Sequence, residues 1–187
     1  MKNPLWNIAG VIPPIRPGHE LGSPRSPYRV SLNQFIDLFA TSQERIDILK
    51  GFLGFRTLLH SSQIVSGFQW VDGSFMEHVE ATQNRAPNDL DVVTFFNLPE
   101  DSDSPESFFE KNRHCFDKES VKKQFKIDSF FVEMSKNSPE QLVKNSAYWY
   151  SVWGHTRSGL WKGFLEVDLK PSGETEALET LKKAGSK

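Results

Sequence analysis

Cysteine is almost missing from this chain: Cys115 stands alone among 187 residues. One thiol can form neither an internal disulfide nor a multi-cysteine zinc site, and a reducing cytoplasm suits such a chain. No run of about 18 apolar residues occurs, so no membrane-spanning helix is expected. The stretch from Met1 to Pro17 has no continuous apolar segment of signal-peptide type. An excess of charge is missing too: 22 Lys and Arg face 24 Asp and Glu, a net charge of -2. No global basic field recruits nucleic acid, and any such contact needs a local basic patch. Internal repeats and long low-complexity segments are absent. Neither His-Glu-x-x-His nor Gly-x-Ser-x-Gly occurs. His78-Val79-Glu80 is half of a zinc deaminase signature whose cysteine half cannot exist here.

Aromatic residues, by contrast, are plentiful, with 15 Phe and 5 Trp, and 37% of the chain is hydrophobic. That suffices for one compact domain with a real core. Residues 1–30 carry Pro4, Pro13, Pro14, Pro17, Pro24 and Pro27 and read as an extended arm. Leu5, Trp6, Ile8, Val11 and Ile12 give this arm apolar groups with which to strap onto the domain. Residues 31–170 form the domain, and residues 171–187 a polar tail that frays or forms a short helix. Ser31 with Gln34, and Thr41 with Glu44, are capping-box patterns that open two helices. Gly51 and Gly54 in the second suggest close packing. Strands are expected at 68–72, 89–96, 125–134 and 161–169, with one or two helices from Ser104-Pro105 to about Gln124. A further helix runs from Ser138-Pro139 to about Trp153. The order predicts an α/β (α+β) fold, a mixed sheet with its helices on one side. Trp149, Tyr150 and Trp153 could stack a base, but their spacing fits a helix face in the core. Cys115 reads as a buried structural thiol.

The chemistry concentrates in two places. Side chains alternate along a strand, so Asp89 and Asp91 project together at the start of the strand that continues through Val92 to Phe96. Two adjacent carboxylates repel unless something positive lies between them, and a hard divalent cation is the simplest partner. Sixteen residues upstream, Gly73-Ser74 follows another strand. Glycine lets a phosphate approach the backbone, and the serine hydroxyl and nearby N–H groups can bind its oxygens.

Gly-Ser, a short segment and then Asp-x-Asp on an apolar strand resembles the nucleotidyltransferase superfamily of DNA polymerase β type, over residues 64–134. The whole chain resembles an uncharacterised prokaryotic family of nucleotidyltransferase-like proteins. The segments that carry this likeness are Gly10-Val11-Ile12-Pro13-Pro14, Arg25-Ser26-Pro27-Tyr28, Gln69-Trp70-Val71-Asp72-Gly73-Ser74-Phe75 and Trp161-Lys162-Gly163-Phe164-Leu165-Glu166. The resemblance implies a nucleotidyltransferase fold and two Mg2+ (or Mn2+) ions held by Asp89, Asp91 and a third carboxylate. Asp128 matches that third position; Glu166 and Asp168 are the alternatives. Asp128 should bind metal or meet a base such as Lys162. Arg85, Arg157 and Lys162 are the candidate cations for a nucleotide triphosphate. The implied reaction moves a nucleoside monophosphate from an NTP or dNTP to a hydroxyl of a protein, a tRNA or a growing oligonucleotide. The implied setting is the cytoplasm of a bacterium, in a toxin–antitoxin or antiphage system, with a partner protein from the same operon. The alternative is a catalytically idle nucleotidyltransferase fold that binds or regulates a partner.

Overall fold

The computed structural model describes residues 6–15, 24–100, 102 and 104–185. Pro4, Leu5 and Pro17 of the expected arm lie outside the described residues. Ser31 caps the first long helix with both halves of its capping box, Gln34 N–H donating to Ser31 Oγ at 3.1 Å and Gln34 Oε1 accepting from Ser31 N–H at 2.9 Å. That helix, α1, spans Leu32–Phe39 and buries Leu32, Phe35, Ile36 and Phe39. The next, α2, spans Gln43–Ser61. Its cap is Ser42 rather than Thr41, because Thr41 N–H is drawn back to the Phe39 carbonyl and the helix starts one residue later. Gly51 lies so close to α6 (Lys118–Phe125) that a Cβ there would sit 1.9 Å from the Phe125 carbonyl oxygen.

A five-stranded mixed sheet runs through the middle, in the order β1-β5-β2-β3-β4. These strands are β1 (Tyr28–Val30), β2 (Gly67–Asp72), β3 (Leu90–Phe96), β4 (Ile127–Glu133) and β5 (Leu165–Asp168). β2 is antiparallel to both β3 and β5, while β3 and β4, and β1 and β5, run parallel. β1 was expected as part of the arm; it is the edge strand of the sheet instead. β5 is shorter than its apolar run, because Lys162 N–H and Gly163 N–H turn away to the carbonyls of Gly154 and Ile12.

Helices cover both faces, not one. On the first face, Val71, Val92, Phe96, Ile127 and Val167 pack in one core with α1, α2 and α6. Residues 105–116 form two short helices, α4 (Pro105–Lys111) and α5 (Arg113–Phe116), where Cys115 is fully buried. The tail is a full helix, α8 (Glu174–Ala184), which buries Ala177 and Leu181 in the same core. On the second face, Trp70, Val93, Phe95 and Val132 meet Trp149, Tyr150 and Trp153 of α7 (Pro139–Trp153) and Phe164. Trp153 is therefore core, and Trp149 and Tyr150, partly buried, pack against it from the same helix. The arm packs through Trp6, Val11 and Ile12, whereas Ile8 is fully exposed. Among the described residues no helix is long and apolar enough to cross a membrane.

Arg56, 0% exposed, joins α2, β2 and α8. It donates to Gln69 Oε1 at 2.9 Å, to the Asp168 carbonyl at 2.9 Å and to Glu174 Oε1 at 2.8 Å. Removing one member of a buried ion pair leaves the other uncompensated, a cost of about 3–5 kcal/mol. Arg56→Met keeps the bulk and loses the donors. Chemical denaturation should show a stability loss of about 3 kcal/mol or more, with α8 amides exchanging faster. A loss under about 1 kcal/mol would mean that water satisfies these groups.

Candidate functional site

β2 ends where β3 and β4 begin, since β2 runs against them. The register then sets Asp72 opposite Asp91, and Asp91 opposite Asp128. Residues directly opposite one another in a sheet point to the same face, so three aspartates stand in a row across three strands. Asp89 immediately precedes β3 and, two residues from Asp91, joins the row. Positive charge reaches this row from α6. Lys122 Nζ lies 2.7 Å from Asp89 Oδ2 and 3.3 Å from Asp128 Oδ2, and Lys118 Nζ lies 2.8 Å from Asp128 Oδ1. Asp128 thus meets Lys118 and Lys122, not Lys162. Burial, with the charges of Asp89 and Asp128 added, pushes Asp91 up to about 6. Lys122 is held above the usual lysine value: its hydrogen bond to Asp89, with the charges of Asp89 and Asp128, outweighs desolvation.

Gly73 belongs to this row. Its φ is +82°, and a Cβ there would come within 2.6 Å of Asp91 Oδ2. The close approach expected of a phosphate at this glycine is made in the structure by the Asp91 carboxylate. Ser74 starts a 3-10 turn, Ser74–Met76, and is partly exposed.

Beneath the loop lies an ion pair that sequence spacing did not suggest. Lys162 Nζ is 2.5 Å from Asp72 Oδ1, both side chains are 3% exposed, and Glu77 Oε1 is 3.5 Å away. Burial pushes Asp72 up to about 7, against the pull of the Lys162 charge and hydrogen bond and of the Gly73 N–H. Lys162 is therefore a cation under the loop rather than one facing solvent. The loop is held from its other side by Arg45, 0% exposed, which donates to the carbonyls of Phe75 at 2.6 Å and Glu77 at 2.7 Å. Glu80 takes up the same guanidinium at 2.5 and 2.8 Å. The arm finishes the clamp: Trp6 Nε1 donates to the Met76 carbonyl at 2.7 Å, its ring stacks on His78, and Gly10 accepts from His78 N–H. Ile12 accepts from Gly163 N–H at 2.7 Å, and Ser26 Oγ accepts from Phe164 N–H at 2.8 Å. The four segments that carried the family resemblance therefore converge around Asp72 and Lys162.

The remaining candidates lie apart. Glu166 accepts from Trp70 Nε1 at 3.1 Å, and Asp168 pairs with Arg29 at 3.1 Å. Arg85 is exposed and bonds to Gln83 and the Ala86 carbonyl; Arg157 is exposed in the loop before β5. Asp72, Lys118 and Lys122 were not singled out in sequence. Two shallow cavities among the described residues include neither Gly73 nor Asp72, Asp89, Asp91 or Asp128. One lies against Ser31, Leu32 and Asp168, the other against Arg113, His114 and Asp117.

The donor set suits a hard divalent ion: carboxylate oxygens only, with Asp128 Oδ1 buried and lacking a hydrogen bond despite its nearby lysine. Among the described residues no three His, Cys, Asp or Glu side chains are gathered closely enough to hold a metal as they stand. The lysines supply the positive charge in this arrangement.

Comparison with known proteins yields one match, to the model of a family of unknown function, DUF6932, over residues 4–168. No curated protein and no solved structure matches the chain.

The Asp72–Lys162 pair gives a sharp test. Lys162→Met leaves Asp72 buried without its cation and should lower stability by about 3–5 kcal/mol. Adding Asp72→Asn removes the stranded charge, so the double variant should regain at least about half of that loss. Equal losses in single and double variants would show that the pair acts only through packing.

Proposed function

The chain belongs to the DUF6932 family, and we propose that it is a metal-dependent nucleotidyltransferase acting on a nucleotide triphosphate. The observation that carries this reading is the row of Asp91 and Asp128 in register, with Asp89 beside them and Gly73 against Asp91. On this reading the sheet and its helices form a nucleotidyltransferase fold. Asp89, Asp91 and Asp128 hold two Mg2+ or Mn2+ ions once Lys118 and Lys122 withdraw. When bound, the ions lower the pKa of the acceptor hydroxyl and offset the charge of the triphosphate and departing pyrophosphate.

The rest falls to the chain's own groups. Ser74, partly exposed on a loop clamped by Arg45, Trp6 and Lys162, offers its hydroxyl and its own N–H to phosphate oxygens. The clamp keeps those donors fixed, and phosphoryl transfer depends mostly on such positioning. Asp72 orients the loop from beneath through its bond with Lys162. Arg85 and Arg157, both exposed and outside the row, would contact an acceptor rather than the metal site. The acceptor is a hydroxyl of a protein, a tRNA or an oligonucleotide, and a bacterial toxin–antitoxin or antiphage system in the cytoplasm, with an operon partner, is the setting proposed.

One observation favours a second reading, an idle nucleotidyltransferase fold that binds a partner: the lysines already neutralise Asp89 and Asp128. Incubation with each labelled nucleotide triphosphate plus Mg2+ or Mn2+, followed by gels for labelled protein and nucleic acid, separates the two. The active enzyme should give metal-dependent label and pyrophosphate. Asp91→Asn and Asp128→Asn should each cut transfer by about a hundredfold or more while staying folded. Full activity in Asp128→Asn with loss in Glu166→Gln would move the third ligand to β5. No pyrophosphate with any nucleotide would favour the idle fold.

A further inference from the structure

We propose that Lys122, aided by Lys118, is a built-in counter-cation that competes with the divalent ion for Asp89 and Asp128. This rests on the metal-dependent reading above. Lys122 Nζ sits between the two carboxylates, 2.7 Å from one and 3.3 Å from the other. An ammonium is a compact point charge with three donors, so it can occupy the space between carboxylate oxygens that a small cation would take. Lys118 closes the far side of Asp128 at 2.8 Å and lies 3.9 Å from the centre of the Phe130 ring.

The backbone under these lysines is anchored by its neighbours. Val121 of the same helix is buried, Phe125 is pressed against Gly51 of α2, and Asp117 caps the helix by accepting from Ser120 N–H. Both lysine side chains are nevertheless about half exposed. Long lysine stems let the charge move into water without moving the helix. An entering ion therefore has to displace side chains only. That displacement has a cost, so the ion by itself binds more weakly than three aspartates would allow. The freed ammonium groups remain on α6 beside the row, where the phosphates of a nucleotide can take them up.

The competition is measured by titrating the full chain with Mn2+ alone and following free Mn2+ by electron paramagnetic resonance. Wild type is compared with Lys122→Met. Removing the ammonium should tighten Mn2+ binding about five- to tenfold, as expected for loss of a partly exposed competing charge pair. Equal or weaker binding by Lys122→Met overturns the competition while leaving the metal-dependent reading intact. No Mn2+ binding by either protein overturns both. If Lys122→Met does not hold its fold by circular dichroism, Lys118→Met is read in the same way, since Lys118 occupies Asp128 from its other side.

Discussion

Carboxylates brought together away from water must be matched by positive charge, and this sheet brings four aspartates to one end. The strand directions force it. β2 delivers Asp72 as it ends, β3 opens just after Asp89 and carries Asp91, and β4 carries Asp128 at its second residue. Like charges at such spacing raise one another's pKa and destabilise the fold unless compensated. The chain answers with lysines of two kinds. Lys162 is buried and bound to Asp72; Lys118 and Lys122 are half-exposed and rest on Asp89 and Asp128. Asp91, between the two arrangements, is left with the Gly73 backbone as its neighbour.

That difference in burial separates two kinds of ion pair. The Asp72–Lys162 pair is closed off, and the strap, the cis-proline segment at 26–27 and the turn before β5 all hydrogen-bond around it. Such a pair fixes geometry at a cost in desolvation and is not free to exchange partners. The lysines on α6 stay about half exposed and in contact with water. On the proposed reading, a clamped loop next to a carboxylate row is an arrangement suited to ion-assisted phosphoryl transfer.

The sequence was informative where chemistry is local. Period-two spacing put Asp89 and Asp91 together, short aromatic and β-branched runs marked β2, β3 and β4, and Ser31, Ser104 and Ser138 all cap the helices they were expected to cap. It was uninformative where distant segments meet. Asp72 and Lys162 are 90 residues apart, and nothing in either neighbourhood marks them as partners. α2 buries Arg45 and Arg56, so its apolar face is broken by charges whose partners lie on the loop after β2 and on α8. β1 hid in a proline-rich arm because a three-residue parallel edge strand has too little pattern to read. The second sheet face went unnoticed because β2 and β3 are apolar on both sides, and periodicity alone does not say that helices cover both.

The most direct measurement of the central claim is a crystal structure grown or soaked in Mn2+, with anomalous differences used to place the ion. The expected result is anomalous density bounded by Asp89, Asp91 and Asp128, with the Lys122 side chain turned away from Asp89. Density elsewhere, or none while Lys122 still rests on Asp89 at saturating Mn2+, would contradict it.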